Sequence, residues 1–188
     1  LLINKFHYIK GGSERHFFDL KELLESKVHS VSVFSMQHEK NLKSEDEKYF
    51  VSQVQTDEVS FSWQGLRTVA RFFWSFEARR KVKKLLEDKK IDLVHLHNFN
   101  HQISPSILSI FKKKNIPVIM TVHDYSLVSP NANLFVKGKV YDKMLSYAAW
   151  LKDRCVKDSF WASLVVTLEM YFHHKILNIY QKNIDKYI

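Results

Sequence analysis

The residue types able to do chemistry in this chain fall in three short stretches. Gly11-Gly12 directly precedes a helix-forming segment, His95 and His97 stand two apart with Asn98 after them, and His123 is followed by Asp124. Two glycines at a helix N-terminus bring bare N–H groups close to an anion, and the helix dipole adds to the attraction, so a phosphate or sugar diphosphate is the matching ligand. A plain tight turn uses the same residues, and the full dinucleotide fingerprint is absent. Histidines two apart on a strand point to one face, where they bind a metal, contact a substrate or pack as interior residues. His123 is the stronger candidate. The apolar Val118, Ile119, Met120 and Val122 need no imidazole to pack, and Asp124 offers a carboxylate to orient or charge it; the simpler use is a histidine hydrogen-bonded in a loop.

Stepping along the chain gives the elements that must hold these groups. Leu1 to Ile3 reads as a strand, residues 13–27 as a helix with Ser13 as N-cap and Glu14 in the first turn, and residues 31–34 as a second strand. Residues 48–62, with Val59, Phe61 and then Trp63, alternate weakly and predict short strands or extended loop. Residues 64–89 predict one long helix, since Gly65 is their single Gly and no Pro occurs. Residues 91–97 predict a strand, 104–115 a helix with Pro105 in its first turn, and 116–122 another strand. That βαβ unit implies parallel strands and a right-handed crossover. Residues 125–158 hold turn signals at Ser129-Pro130-Asn131 and Lys137-Gly138-Lys139, so an irregular excursion is expected, and 159–182 predict a second long helix. The Gly11-Gly12, His97-Asn98 and His123-Asp124 stretches then all follow strands, at the carboxyl edge where open parallel α/β sheets gather ligands.

A chain of 188 residues with 45% hydrophobic and 26% charged residues has room for one real core and excludes disordered and low-complexity classes. Cys155 is the single cysteine, so an intramolecular disulfide framework is excluded and an inert thiol is expected. The formal charge of +9 is concentrated at Arg79-Arg80-Lys81, Lys83-Lys84 and Lys112-Lys113-Lys114, near predicted helix C-termini. These are solvated faces or a surface for anionic lipid, with Trp63, Phe72, Phe73 and Trp74 as interfacial residues. Nucleic acid fits less well, because exposed strand aromatics in an RNA-binding pattern are missing.

Four blocks together resemble the amino-terminal domain of family 4 glycosyltransferases: residues 6–16 around Gly11-Gly12, residues 23–33 with His29-Ser30-Val31, residues 92–98 ending in His97-Asn98, and residues 117–125 containing His123-Asp124. The resemblance implies a Rossmann-like parallel sheet with helices on both faces, the N-terminal half of a GT-B architecture. All 188 residues would form this acceptor-side domain, and a C-terminal nucleotide-sugar-binding domain would lie outside the chain, leaving this half alone inactive. It also implies retaining transfer from a UDP- or GDP-sugar to a glycan or lipid-linked acceptor, in polysaccharide biosynthesis, in the cytoplasm or peripherally on the inner face of the plasma membrane, with no metal or other cofactor. Carried over by position, Gly11 and Gly12 approach the diphosphate and acceptor, His123 is catalytic beside the transferred sugar, and His97, Asn98 and Asp124 contact substrate. Residues 184–188 resemble the strand leading toward the second domain. Val28 stands where the family commonly has glycine, placing a β-branched residue at a left-handed helix C-cap. Two alternatives remain open at this point: a metal-dependent hydrolase using His95, His97, His123 and Asp124, and a non-catalytic α/β module that docks on membranes.

Overall fold

In the computed structural model, which describes residues 1–54, 63–144 and 146–188, the apolar runs become short parallel strands and the segments between them wind mainly into helices. In chain order these are β1 (Leu2–Ile3), α1 (Gly12–Ser26), β2 (Val33–Phe34), α2 (Trp63–Phe73), α3 (Phe76–Asp88), β3 (Val94–Leu96), α4 (Leu108–Lys113), β4 (Val118–Met120), β5 (Phe135–Val136), β6 (Lys139–Val140), α5 (Tyr147–Lys152), α6 (Phe160–Tyr171), α7 (Ile179–Asn183) and β7 (Lys186–Tyr187). The chain divides into two compact units: Leu1–Thr121 with Ile179–Ile188, and Val122–Asn178.

The first unit holds a five-stranded sheet in the order β2-β1-β3-β4-β7, parallel throughout. It is the α/β, Rossmann-like arrangement that the sequence implies. The strands are nearly continuous apolar residues because a parallel sheet is covered on both faces. Leu2 and Val33 pack with Phe17 of α1 and Phe50 in one core cluster, while α4 packs against α7 and α3 against the 3-10 turn Pro105–Ile107. Residues 184–188 add β7 to this sheet beside β4, so this segment completes the sheet's edge. In the second unit, β5 and β6 form an antiparallel hairpin. Its turn residues Lys137 and Gly138 have φ of 50° and 78°, the doubly left-handed turn that tight hairpins favour. Cys155 lies in this unit's core with Tyr141, Trp150 and Met170, and burial pushes its thiol pKa up, as an inert cysteine requires.

Several element boundaries differ from the sequence reading, each for a local reason. The long helix over 64–89 is two helices, because the Ser75 hydroxyl accepts the Ala78 N–H and starts α3 afresh. The helix over 159–182 begins as expected, with Ser159 capping α6. It then passes through a π-helical turn, Phe172–Ile176, and breaks at Asn178, whose φ is 49°. Pro105 opens a 3-10 turn ahead of the α-helical part. In residues 48–62, Tyr49 closes a 3-10 turn and Val51 bridges to Met36; Val59 and Phe61 lie outside the described residues.

The basic and aromatic surface also takes a different form. Arg79 Nη1 hydrogen-bonds the Ser106 carbonyl and reaches Ser109 Oγ at 2.8 Å, with its guanidinium 4.8 Å from the Trp74 ring centre. Phe72 is buried, and Lys112 lies 3.6 Å from Asp185. Arg79, Phe72 and Trp74 therefore knit helices together and do not form a free lipid-facing patch. The Trp63 side chain lies outside the described residues.

The end of α1 gives the clearest energetic consequence. His29 N–H bonds the Leu24 carbonyl and Val28 N–H bonds that of Glu25, both at 3.0 Å, which is a Schellman cap with Val28 at φ 64°. The equivalent cap after α4 uses Asn115 at φ 54°, a residue better suited to that conformation. Val28 is 94% exposed and contributes little packing there. Val28→Gly is expected to stabilise the chain by about 1 kcal/mol, because relief of left-handed strain exceeds glycine's added unfolded-state entropy. Thermal denaturation should show a rise of about 2–4 °C.

Candidate functional site

The strand order reverses between β1 and β3, so the segments leaving their carboxyl ends flank a topological switch point, where open α/β sheets bind ligands. The backbone stitches them together: His97 N–H bonds the Ile3 carbonyl at 2.8 Å, and Lys5 N–H bonds the Asn98 carbonyl at 2.6 Å. Asn4, fully buried, completes the join. Its Oδ1 accepts the Asn98 N–H at 3.1 Å, while its Nδ2 donates to the Phe6 carbonyl at 2.8 Å and to Glu14 Oε1 at 3.4 Å. One amide thus holds the ends of β1 and β3 and the first turn of α1 together.

From Asn4 the chain runs to the glycines under a second set of restraints. His7 N–H bonds Asn41 Oδ1, Leu42 N–H bonds the His7 carbonyl, and the His7 ring shares Nδ1 with the Leu42 carbonyl at 3.0 Å. A carbonyl only accepts, so Nδ1 carries the proton. The His7 ring packs edge-on to Phe50 and Phe17, and burial lowers its pKa below the ordinary value of 6.5.

Gly11 is the N-cap of α1, two residues before the Ser13 cap that the sequence predicts, and Ser13 lies in the first turn with its hydroxyl donating to Glu14 Oε1 at 3.1 Å. A glycine cap offers no side-chain acceptor to the first-turn N–H groups, which keeps the helix end available to an anion. Gly11 has an extended backbone with φ −164°, which any residue adopts. A Cβ at Gly11 would meet Glu14 Oε2 at an ordinary 3.7 Å, and one at Gly12 would meet nothing within 4 Å. Neither the backbone nor the surrounding protein therefore demands glycine. The missing side chains leave space above the backbone.

His95 and His97 do share a face: their rings stack 4.6 Å apart at 23°. His95 Nε2 is 2.7 Å from Thr121 Oγ1, just past the end of the neighbouring strand β4, which fixes the orientation of the His95 ring. His97 is buried edge-on against Phe17 and 5.6 Å from the His16 ring on α1. Gly11, Gly12, His97 and Asn98 are thus gathered at one end of the first unit's sheet. His123 and Asp124 belong to the second unit, with His123 three residues beyond the end of β4. There Asp124 Oδ1 accepts the Ser126 N–H at 2.9 Å, shaping the turn that follows. Asn4, His7, His16 and Asn41 were not singled out from sequence as site residues. Only Asn4 carried a signal, a polar residue where an apolar strand ends.

A family model described as Glycosyltransferase Family 4 matches residues 10–168. The chain is also similar to a Klebsiella pneumoniae protein named "Uncharacterized 42.6 kDa protein in cps region", 29% identical over 164 residues. The match covers 80% of this chain and 43% of that protein, so the chain spans less than half the length of this curated relative. No solved structure matches.

Asn4→Ala should cost about 2–3 kcal/mol, since it orphans several polar groups at once; urea denaturation measures it, and a loss under 1 kcal/mol would show that the join is not held by this side chain. His7 gives a pH signature. Its folded pKa is lowered, so its contribution is complete above the unfolded value of 6.5 and is lost as pH falls below it. His7→Asn, which keeps a donor near the Leu42 carbonyl, should flatten the decline in unfolding free energy between pH 7 and pH 5.

Proposed function

Because the chain belongs to glycosyltransferase family 4, we propose that it forms the acceptor-side half of a retaining enzyme that transfers a sugar from a UDP- or GDP-sugar to a glycan or lipid-linked acceptor. The observation that carries this reading is the open, side-chain-free backbone at Gly11-Gly12, set at the N-terminus of α1 and at the switch point between β1 and β3. A diphosphate suits such a position: the N–H groups and the positive end of a 15-residue helix stabilise the negative charge that grows as the sugar leaves. His97 and Asn98, tied to the same loop, would line the substrate's path. In this reading the bond from sugar C1 to the diphosphate oxygen breaks, a bond from C1 to an acceptor hydroxyl oxygen forms, and the hydroxyl proton goes to the departing diphosphate.

His123 would hydrogen-bond the transferred sugar or stabilise charge near its anomeric carbon, with Asp124 contacting substrate beside it. No metal or other cofactor takes part in this scheme. The larger relative, whose name places it in a cps region, supports a place in polysaccharide biosynthesis; in this reading a further domain holds the nucleotide-sugar. In this reading the reaction takes place in the cytoplasm or at the inner face of the plasma membrane. Family membership favours this reading over the metal-dependent hydrolase.

Gly12 separates function from folding. Because a Cβ there meets nothing, Gly12→Leu should leave the melting temperature within about 2 °C of the parent. In the full-length protein the same change should lower transfer from UDP- or GDP-sugar at least tenfold, about 1.4 kcal/mol of transition-state stabilisation. His123→Ala should lower it by at least as much. Parent-like turnover in both variants would overturn the proposal.

A further inference from the structure

Helix α6 has a sequence unlike that of a surface helix. From Phe160 to Tyr171 it carries one charged residue, Glu169, and that residue is turned inward, buried and 3.6 Å from the buried His173. A helix apolar on all sides is ordinarily enclosed. Here it is not. Trp161 is 58% exposed, Leu168 50% and Tyr171 47%, with Phe160 beside Trp161 at 44%. Trp161, Leu164, Leu168 and Tyr171 follow each other at spacings of three, four and three, so they form one stripe. The opposite stripe, Ser163, Thr167 and Met170, is buried within the same unit.

Charge decides what this stripe fits. Lys152, Arg154 and Lys157 are exposed just before α6, and Lys175 is exposed in the turn after it. Asp158, the acidic residue nearest the helix start, lies 3.1 Å from Lys137. An apolar stripe with aromatic residues near both ends, bracketed by more cations than acids and with the exposed Asp158 paired to Lys137, has the pattern of a helix lying in the plane of a lipid headgroup layer. Twelve residues reach about 18 Å, against a bilayer core of about 30 Å, so α6 would lie along the bilayer and not cross it. Among the described residues, no helix is long and apolar enough to span a membrane.

We propose that the Trp161–Leu168–Tyr171 face of α6 seats on an anionic lipid surface, with the Lys152, Arg154 and Lys157 segment against the headgroups. This differs from the patch that the sequence suggests at residues 63–84 and 112–114, where Arg79, Phe72 and Trp74 are engaged within the fold. It does not depend on the glycosyl-transfer reading, because its readout is binding alone.

The full chain should float with vesicles of phosphatidylglycerol and phosphatidylcholine, and at least fivefold less with phosphatidylcholine alone or in 0.5 M salt. Trp161→Ser with Leu168→Ser should cut binding at least fivefold while the far-UV circular dichroism and the melting temperature stay close to the parent's, both side chains being exposed. Brominated lipid should quench the parent's tryptophan emission, and Trp161→Phe should bind yet lose most of that quenching. Absence of flotation at low salt would overturn the proposal. So would undiminished binding by the double variant, loss of binding in Lys83→Glu with Lys84→Glu, or a self-associated chain that the double variant turns monomeric.

Discussion

The buried side chain of Asn4 is the constraint on which the candidate site rests. Parallel strands end by releasing their chains into loops, and two such loops have no intrinsic reason to hold a fixed spacing. Asn4 supplies it by bonding the Asn98 backbone, the Phe6 carbonyl and the Glu14 carboxylate from one amide group. Full burial strengthens the constraint, since each of these groups would otherwise lack water as a substitute partner. The glycine loop therefore leaves the sheet at a defined point. The His7 and Asn41–Leu42 contacts fix its outer course, and α1 starts where the restraints end.

This order of dependence explains why the glycines matter in a way their backbone angles do not reveal. A glycine is usually justified by a left-handed φ or a close neighbour. Gly11 and Gly12 show neither, yet they sit at the uncapped end of a 15-residue helix with open space above them. Val28 shows the reverse. It occupies a left-handed position that glycine would fill at less cost. At one end of α1 the sequence keeps glycine where the fold permits other residues, and at the other it keeps valine where the fold favours glycine.

Much of the architecture was legible because parallel strands and amphipathic helices have different periods. The βαβ run from Val94 to Met120 and the α1 helix follow from patterning and capping chemistry, and the strained cap at Val28 follows from the family resemblance. The breaks inside the two long helical stretches were not legible. Both depend on single small polar residues, Ser75 and Asn178, that also occur within uninterrupted helices. The proximity of Gly11-Gly12 to His97-Asn98 could be anticipated from the carboxyl-edge rule. The role of Asn4 could not, since it depends on which backbone groups two distant loops leave unpaired. Arg79 and Phe72 look like neighbours of a basic patch in sequence, yet their contacts lie on the 104–109 segment and within the core, while Arg80, Lys83 and Lys84 stay exposed. The exposed face of α6 is hidden in the sequence for a similar reason: an apolar helical sequence predicts burial, and which stripe is left uncovered depends on tertiary packing.

The central claim is that the backbone at Gly11-Gly12 meets the donor diphosphate. Amide NMR of the full-length protein titrated with UDP- or GDP-sugar tests it most directly. The account predicts saturable shifts of the Gly11, Gly12 and Ser13 signals, with Gly138 in the β5–β6 hairpin unmoved. Saturable donor binding that leaves the Gly11, Gly12 and Ser13 signals unchanged would contradict it.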